Sequence, residues 1–442
     1  MRTKLGVVSV ILLFLAIFLI LRVAFPIYKG FVPMILVLLG LDTYLWFSIR
    51  HRILNLRSLA KIIVFILYWS PLLLILTCII TGLFIPFKEW NIAFRTLVPG
   101  IILIIFVCKL IPVIFLILND ILRLFRFVGA VFIHGGEQHV KDFNRIPEIQ
   151  YTGWALGTLM FCLMLLGMVW WNYDFNVKEQ TIRLPELPAS FEGLKIVQVS
   201  DIHLGSWSCA RELEKAVTMV DSLHPDVIFF TGDIANYSTY DVIPFEHILA
   251  GMKAKEGIFA ILGNHDYGMY TTWPSDLAQE VDERELYSFF HLLGWKLLLN
   301  QHAILRRGND SIAILGVHNW GKGYRFQKLG NIPKSQEGIE NMPIQLLLSH
   351  DPSFWDSIIC HKYQNIDVTF SGHTHGFQFG IEWGKIRWSP AQYLYKQWAG
   401  LYEKPVPGSH PQYLYVNRGL GSIGYPGRIG ILPEITVFTL KR

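Results

Sequence analysis

The sequence predicts an α-helical membrane anchor followed by an α/β domain. Long apolar runs fill residues 5–171, and several could cross the roughly 30 Å hydrocarbon core of a bilayer. From about residue 194 the composition becomes that of a soluble protein, with short β-branched runs typical of buried strands. The 442 residues also exceed what one hydrophobic core usually serves, so two or more domains are expected.

Residues 1–171 are predicted to form a multi-span membrane region of about five helices. The candidate spans are residues 5–25, 31–49, 62–86, 97–118 and 153–171. The first follows Arg2 and Lys4 and could also be a signal peptide, but no small-residue cleavage site is evident, which favours an uncleaved span. Lys109 lies inside the fourth span, where a charge is either functional or simply faces the interface or other helices.

The basic residues predict the sidedness of the anchor. One side carries Arg2, Lys4, Arg50, Arg52, Arg57, Lys61, Arg123, Arg126, Lys141 and Arg145, and the other carries Arg22, Lys29, Lys88 and Arg95. The richer side is expected to be cytoplasmic. Five spans in a cell (inner) membrane then place the chain after Trp171 on the extracytoplasmic face, and one miscounted span would reverse this.

Charge and cysteine content exclude some classes of protein. The net charge of +5 is modest, and the basic residues lie between apolar runs, so nucleic acid is not expected as a partner. Of the five cysteines, Cys78, Cys108 and Cys162 lie in apolar runs, and Cys209 and Cys360 are far apart. This pattern predicts neither a disulfide framework nor a thiolate metal site.

Residues 172–193 are interpreted as a polar linker, and residues 194–442 as the α/β domain. The predicted strands are Leu194–Val199, Asp226–Phe230, Gly257–Leu262, Ser311–Gly316, Ile344–Leu348, Asp367–Phe370, Gln412–Val416 and Ile435–Leu440. Between the first two strands, Leu213, Ala216, Val217, Val220 and Leu223 share one face of a helix. This strand–helix–strand order predicts a sheet that begins largely parallel.

Asp, Asn and His residues follow five of these strands directly. The clusters are Asp201-Ile202-His203, Gly232-Asp233, Gly263-Asn264-His265-Asp266, Ser349-His350-Asp351 and Gly372-His373-Thr374-His375. In an open α/β sheet, ligands bind beyond the carboxyl ends of the strands, so these clusters are expected to meet in one crevice. Any one cluster alone would more often be a turn or a structural feature, and the signal is their combination.

The residue types in these clusters fit a pair of divalent cations. Imidazole nitrogens, carboxylate oxygens and an amide oxygen suit Mn, Zn or Fe, and no cysteine is present to form a thiolate site. A carboxylate such as Asp233 can bridge two ions about 3.5–4 Å apart, as two-metal hydrolysis requires. A water or hydroxide held by the metals would be the nucleophile, and a nearby imidazole could protonate the leaving oxygen.

These motifs together resemble the calcineurin-like metallophosphoesterase superfamily over residues 194–442. His203-Leu204-Gly205, Asp266-Tyr267, His375-Gly376-Phe377-Gln378, Asn417-Arg418-Gly419-Leu420-Gly421 and Pro433-Glu434-Ile435 are similar to one bacterial branch. That branch includes membrane-associated phosphodiesterases and UDP-2,3-diacylglucosamine pyrophosphatases. The resemblance implies a four-layer αββα sandwich with two mixed sheets, and it leaves the membrane region unexplained.

The resemblance also implies a role for each matching residue. Asp201, His203 and His375 correspond to the ligands of one metal, Asp233 to the bridging carboxylate, and Asn264, His350 and His373 to the ligands of the second metal. His265 corresponds to the imidazole that contacts the substrate phosphate and acts as general acid. Many relatives orient this histidine with an aspartate where this chain has Asn236. Asp266 is expected either to take over that role or to brace the loop.

Three further features have open interpretations. Arg418 and Arg428 could bind the substrate phosphate or be structural or solvated. The aromatic residues Trp383, Trp388, Tyr393, Tyr395, Trp398 and Tyr402 could form a lid or an acyl-chain trough, or simply pack. His318 follows another strand, beside Asn319 and Trp320, without a matching motif.

The sequence thus predicts a membrane-anchored, metal-dependent phosphoesterase, a hydrolase. The expected substrate is a phosphodiester, with lipid-linked or envelope phosphoesters ranked first. A UDP-2,3-diacylglucosamine-type pyrophosphatase is one alternative, and a metal-binding regulatory domain on a membrane transporter is another. The sequence makes no prediction of the oligomeric state.

Overall fold

The computed structural model describes residues 32–134, 143–323, 326–384 and 386–442. They form two compact units. Of these described residues, the helical unit contains 32–80, 101–134 and 143–163, and the α/β unit contains Thr81–Gly100 and those from Met164 to Arg442. The predicted division at residue 171 therefore differs from the observed one, because Thr81–Gly100 belongs with the α/β unit.

Four helices in the described part of the chain are long and apolar enough to span a membrane: α1 (Val32–Leu54), α2 (Ser58–Phe84), α3 (Ile92–His134) and α4 (Pro147–Val169). They correspond to the second to fifth predicted spans. The first predicted span, 5–25, lies outside the described residues, as do Arg2, Lys4, Arg22, Lys29 and Lys141. Helix α3 has 43 residues, roughly twice the number needed to cross the hydrocarbon core.

Lys109 of α3 faces other helices of the helical unit. Its Nζ lies 2.9 Å from Oδ1 of Asp42 in α1 and donates to the carbonyl of Tyr68 in α2 at 3.0 Å. Asp42 is buried, and the Tyr68 hydroxyl donates to the Asp42 carbonyl. These contacts confirm the interpretation of Lys109 as a residue that faces neighbouring helices. A charged side chain within a membrane region needs such partners.

The α/β unit contains two mixed six-stranded sheets and a hairpin. The first sheet has the order β1 (Asn176–Arg183), β14 (Glu434–Lys441), β2 (Lys195–Val199), β3 (Val227–Phe230), β4 (Ile258–Ala260) and β5 (Lys296–Leu297). The second has the order β12 (Gly400–Lys404), β13 (Gln412–Val416), β9 (Val368–Ser371), β8 (Gln345–Leu348), β7 (Asp310–Gly316) and β6 (Gln301–Arg307). Strands β10 (Ile381–Trp383) and β11 (Ile386–Trp388) form the hairpin.

The helices of this unit are α5 (Ala210–Ser222), α6 (Glu246–Leu249), α7 (Asp276–Leu292), α8 (Ile332–Gln336) and α9 (Cys360–Lys362). One core packs the outer face of the first sheet against α5 and α7, through residues such as Val217 and Phe290. A second core fills the space between the sheets, where Phe229 meets Phe370. A third packs the second sheet against α8 and the π-helical segment Trp355–Ile359. The predicted four-layer sandwich of two mixed sheets is confirmed.

The interpretation of residues 172–193 as a linker is wrong. Strand β1 lies inside this range and pairs in parallel with β14, with Asn176 opposite Glu434. It is an edge strand with one neighbour, so charged residues such as Lys178 and Glu179 remain accessible and hide the strand pattern. All eight predicted strands are present, with ends shifted by at most two residues.

Candidate metal centre

Five loops at the ends of strands β2, β3, β4, β8 and β9 bring the predicted ligands together. Strands β2, β3 and β4 are parallel neighbours in the first sheet, and β8 and β9 are parallel neighbours in the second. Their carboxyl ends therefore meet at one edge of the sandwich. The seven side chains predicted as metal ligands all lie there: Asp201, His203, Asp233, Asn264, His350, His373 and His375.

Two groups of three possible ligands are formed. In the first group, Asp201, His203 and His375 offer donor atoms within 4.8 Å of one another. The Nε2 atoms of His203 and His375 are 3.1 Å apart, and Oδ1 of Asp201 lies 3.4 Å from Nε2 of His375. In the second group, Asp233, His350 and His373 meet the same limit.

Asp233 lies between the two groups. Its Oδ2 atom is 3.5 Å from Nε2 of His203 in the first group and 3.2 Å from Nε2 of His350 in the second. The amide oxygen of Asn264 is 3.2 Å from the same His350 nitrogen, which places it in the second group. This is the arrangement expected for a bridging carboxylate between two cations.

Contacts to the opposite ring nitrogens orient the imidazoles. Nδ1 of His203 donates to the carbonyl of Ala235 at 3.2 Å, and Nδ1 of His350 donates to the carbonyl of Thr231 at 2.8 Å. Each histidine therefore turns its Nε2 toward the other donors. Outer contacts of this kind are typical of histidines that bind metals.

The electrostatics of the first group favour a bound cation. Burial lowers the pKa of His203 to about 3 and that of His375 well below its ordinary value, so both rings are neutral at pH 7. Burial also raises the pKa of Asp201 to about 7, and the charge of Asp233 adds to this effect. These neutral nitrogens and carboxylates fit a divalent cation of the borderline type, without thiolates.

The second group binds a proton when no cation is present. Burial alone would lower the pKa of His350, but the adjacent Asp233 carboxylate outweighs it and raises that pKa to about 10. Burial would likewise raise the pKa of Asp233, but the charges of His350 and His265 hold it well below its usual range. A cation at these residues must displace the proton, so its affinity is expected to fall as the pH falls.

Backbone strain is concentrated at the same residues. Five of the seven have positive φ angles between 48° and 73°: Asp201, His203, Asp233, His373 and His375. Non-glycine residues seldom adopt this left-handed conformation, and such strain clusters at functional sites. The backbone thus directs these side chains toward one another at a cost in conformational free energy.

His265 lies beside the two groups and is oriented by a backbone carbonyl. Its Nδ1 donates to the carbonyl of Asn236 at 3.0 Å, and its ring stacks on Tyr270 at 4.0 Å. Burial lowers the pKa of His265, and the charge of Asp233 opposes this. Asp266 accepts hydrogen bonds from the backbone N–H groups of Asp233, Ala235 and Gly263. Asp266 therefore braces the loop and does not take over the orienting role.

The site opens into a cleft of about 340 Å³. Its polar residues are Asn264, His265, His373, Thr374, His375 and Gln378, and its apolar and aromatic residues are Tyr270, Phe326, Phe377, Leu394, Tyr395, Ile423 and Tyr425. The sequence did not single out Tyr270, whose hydroxyl accepts from the Asn264 amide at 2.8 Å. The only signal was its position a few residues after the Asn-His motif.

Arg418 and Arg428 do not line the cleft, and the prediction that they bind substrate phosphate is corrected. Arg418 is buried and forms ion pairs with Glu382 and Glu434. Arg428 is completely buried and donates to the backbone carbonyls of Arg418, Gly419 and Gly421. Both side chains are buried, so a phosphate at the cleft surface cannot reach them without rearrangement.

In the aromatic stretch from Trp383 to Tyr402, some residues lie at the site and others simply pack in the protein. The Tyr395 hydroxyl lies 2.7 Å from Nε2 of His373 and so touches the site, whereas Trp398 is buried in a small core. Trp383 and Tyr393 remain exposed. His318 lies outside the cleft and contacts the Tyr267 hydroxyl through Nδ1 at 2.9 Å.

Two families match the chain. Residues 194–377 match "Calcineurin-like phosphoesterase", and residues 7–170 match "Probable Calcineurin-like phosphoesterase, transmembrane domain".

Several proteins are similar to part of this chain. The uncharacterized metallophosphoesterase YkuE of Bacillus subtilis is 33% identical over 271 residues, covering 60% of this chain and 84% of YkuE. UDP-2,3-diacylglucosamine pyrophosphatase LpxG of Chlamydia muridarum is 31% identical over 312 residues, covering 60% of this chain and 90% of LpxG. A transmembrane protein with metallophosphoesterase domain from Danio rerio is 29% identical over 286 residues, covering 63% and 60% respectively.

Proposed function

This chain belongs to the calcineurin-like phosphoesterases, and on that premise we propose that it hydrolyses a lipid-linked or envelope phosphodiester. Enzymes of this family are hydrolases with a dinuclear metal site, and the described part of this chain includes four helices able to span a membrane. The observation that supports the finer proposal is a cleft in which the candidate metal ligands lie beside exposed apolar side chains.

The apolar side of the cleft suits a hydrocarbon chain. Phe377 and Leu394 line it with 46% and 71% of their surface exposed, and Phe326 and Ile423 lie beside them. Exposed apolar groups around a polar site are typical of surfaces that bind a ligand. A substrate with a phosphate next to an acyl or polyprenyl chain would cover both parts of this cleft.

The chain's own residues would bind, orient and protonate such a substrate. Asp201, His203 and His375, and Asn264, His350 and His373, joined by Asp233, would hold two divalent cations. Bound cations would supply charge neutralisation of the phosphoryl group and activation of water. His265 keeps Nδ1 on the Asn236 carbonyl, which leaves Nε2 as its nitrogen for the substrate. The phosphate charge would favour the protonated ring, which then gives its proton to the leaving oxygen.

We further propose that the active site faces the extracytoplasmic side. The α1–α2 and α3–α4 connections would lie on one side of the membrane, with Arg57 in the first, Arg145 in the second and Arg52 in the last turn of α1. The α2–α3 connection and the chain after α4 lie on the other. The more basic side is expected to be cytoplasmic. This argument depends on the four described helices and is independent of the first predicted span.

A UDP-2,3-diacylglucosamine-type pyrophosphatase is the second candidate, because the two LpxG relatives carry that name. The same seven ligands would serve a pyrophosphate bond. A cytoplasmic nucleotide-lipid fits poorly with an extracytoplasmic site, so we rank this activity second. The regulatory-domain alternative would be favoured by a missing ligand, and every predicted ligand is present.

A substrate panel tests the proposal. The full-length protein in detergent, supplied separately with Mn²⁺, Zn²⁺ or Fe²⁺, is assayed against bis(p-nitrophenyl) phosphate, p-nitrophenyl phosphate, a phospholipid diester and UDP-2,3-diacylglucosamine. We expect turnover of diesters above the monoester and a lower KM for the phospholipid. Preference for the monoester would contradict the diester proposal, and preference for the UDP-lipid would establish the second candidate.

A matched pair of variants tests the apolar wall. Leu394→Ser should raise KM for the phospholipid about tenfold, since burying a leucine side chain is worth roughly 1.5–3 kcal/mol, and should leave KM for bis(p-nitrophenyl) phosphate unchanged. Leu277→Ser changes an equally exposed leucine on α7 outside the cleft and serves as the control. The same KM change in both variants would rule out a specific acyl contact at Leu394.

Labelling tests the sidedness. A single cysteine added after Arg442 of a cysteine-free variant should react with an impermeant maleimide in intact cells, or in spheroplasts if an outer membrane is present. Protection until the cells are lysed would reverse the proposed orientation.

A further inference from the structure

The segment between two membrane helices contacts three loops of the candidate metal centre. Thr81–Gly100 joins α2 to α3 and belongs to the α/β unit. Thr96 donates its hydroxyl to the carbonyl of Gly205 at 3.2 Å, two residues after the predicted ligand His203. The Lys88 ammonium lies 3.4 Å from the ring centre of Trp273, whose indole N–H donates to the carbonyl of Gly268.

The third contact is a buried ion pair. Arg95, in the first turn of α3, pairs with Asp241, and both side chains are almost completely buried. Arg95 also donates from Nη1 to the carbonyl of Lys88 at 2.8 Å, and its guanidinium lies over the ring of Tyr237. Removing two charges from water is costly, and such pairs are weak evidence for stability but can fix one conformation. The Arg95–Asp241 pair is therefore expected to fix the conformation of the loop that carries Asp241.

Asp241 links this pair to the general-acid candidate. Its Oδ2 accepts hydrogen bonds from the backbone N–H groups of Asn236 at 2.9 Å and Tyr237 at 2.7 Å. These contacts fix the peptide of Asn236, whose carbonyl accepts from Nδ1 of His265 at 3.0 Å. A continuous path thus runs from the start of α3 through Arg95, Asp241 and Asn236 to the imidazole.

The side chain of Asn236 does not orient His265. Its Oδ1 is buried without a hydrogen-bond partner among the described residues and points toward Gly205. The orientation of the His265 ring therefore depends on the Asn236 carbonyl, and the position of this carbonyl depends on the conformation of its loop. Asp241, paired with Arg95, holds the part of this loop that carries the carbonyl, next to the part that Asp266 braces.

We propose that Arg95 and Asp241 are positioning residues for His265, so that the membrane region supplies part of the catalytic architecture as well as an anchor. This inference rests on the proposed function, in which His265 protonates the leaving oxygen. Small misplacements of a catalytic group can cost about 100-fold in rate, so the loss of this support should be measurable.

The test uses leaving groups that differ in their need for a proton. The full-length protein in detergent is assayed with bis(p-nitrophenyl) phosphate, which has a good leaving group, and with diphenyl phosphate, which has a poorer one. The double variant Arg95→Met with Asp241→Asn removes both buried charges. The amide oxygen left at position 241 accepts more weakly than the carboxylate from the N–H groups of Asn236 and Tyr237, so the Asn236 carbonyl is held less firmly. Arg307→Met with Glu256→Gln removes an ion pair of the same α/β unit that is partly exposed and does not contact the candidate metal ligands, and it is the control.

We expect the double variant to bind two cations per chain and to keep its KM within about threefold. Its kcat for diphenyl phosphate should fall by about 30-fold, which is part of the roughly 10²–10⁴-fold rate enhancement that a positioned acid contributes. For the nitrophenyl substrate kcat should fall less than about threefold, since little proton transfer is needed. Arg95→Lys, which keeps the charge, should recover most of the lost rate. The control variant should match the parent protein with both substrates.

Two outcomes would overturn the inference: an equal fall with both substrates, or no fall with either. His265→Ala separates this failure from that of the proposed function. If His265→Ala itself shows no dependence on the leaving group, the general-acid role is wrong. If it shows that dependence and the double variant does not, only the positioning role is wrong. Should the double variant not fold, Arg95→Lys and Asp241→Asn are compared singly by the same criterion.

Discussion

The substitution Gly263→Ala should displace the bridging carboxylate. Gly263 precedes Asn264 in extended backbone with φ −98°, so alanine fits its conformation. A Cβ atom at this position, however, would lie 2.1 Å from Oδ1 of Asp233 and 2.7 Å from the Asp233 backbone nitrogen. The carboxylate and its loop occupy the space that the methyl group needs.

The expected effect can be estimated from these distances. Ordinary van der Waals contact begins near 3.4 Å, so the Asp233 oxygen must move by about 1.3 Å or the β3–β4 edge must open. Overpacking of this kind costs about 1–3 kcal/mol of stability. A 1 Å misplacement of a reacting group costs about 100-fold in rate, and disturbing the surroundings of a metal ligand lowers affinity about 10–100-fold.

The assay combines metal titration with kinetics on the full-length protein. We expect Gly263→Ala to bind the second cation about 10–100-fold more weakly and to lose about 100-fold in kcat/KM for bis(p-nitrophenyl) phosphate. Gly129→Ala is the control, because Gly129 lies in helix α3 with nothing within 4 Å of its added Cβ. Parent-like affinity and turnover in Gly263→Ala would refute the placement of the Asp233 carboxylate at the centre of the site.

Further predictions concern the ligands, the acid and a distant histidine. Asp233→Asn and His373→Ala should each abolish detectable turnover and reduce the metal content found by elemental analysis, and retained activity would overturn the ligand assignment. His265→Ala should keep its metals and lose about 100-fold or more in kcat, and a metal-free variant would contradict the acid role. The hydrogen bond to Asp367 at 2.8 Å raises the pKa of His410 above its unfolded value. That stabilisation is complete below about pH 6.5 and disappears as the pH rises through the folded pKa, so His410→Gln should lower Tm at pH 6 and not at pH 10. An equal Tm change at both pH values would argue against this linkage.

The sequence predicts the interior of the α/β unit better than its edges. Strand β3 is buried on both faces and reads as the continuous apolar run Val227–Phe230, which is typical of parallel strands covered by helices. Strands β1 and β12 lie at sheet edges with one neighbour each, where polar residues are tolerated. Their alternation is too weak to identify from composition.

The same distinction holds at the site. The convergence of the candidate ligands could be predicted because each closely follows a strand, and parallel strands bring their carboxyl ends together. Arg418 misled the prediction because its partner Glu382 is 36 residues away and nothing in the local sequence marks the pair. Arg95 and Asp241 are 146 residues apart and lie in different parts of the predicted domain scheme. Pairings of this kind depend on tertiary structure, which local patterns do not report.

The placement of Thr81–Gly100 affects how this enzyme should be produced and how it could have been assembled. A water-soluble fragment that begins near residue 175 would discard Arg95 and Lys88 and leave the Asp241 carboxylate without its ion-pair partner. Poor yield or low activity of such a fragment would then reflect a missing piece of the enzyme instead of the absence of lipid. Tethering residues 81–100 to the fragment by a flexible peptide is the corresponding remedy. Exchange of the anchor for an unrelated one during gene fusion would face the same obstacle.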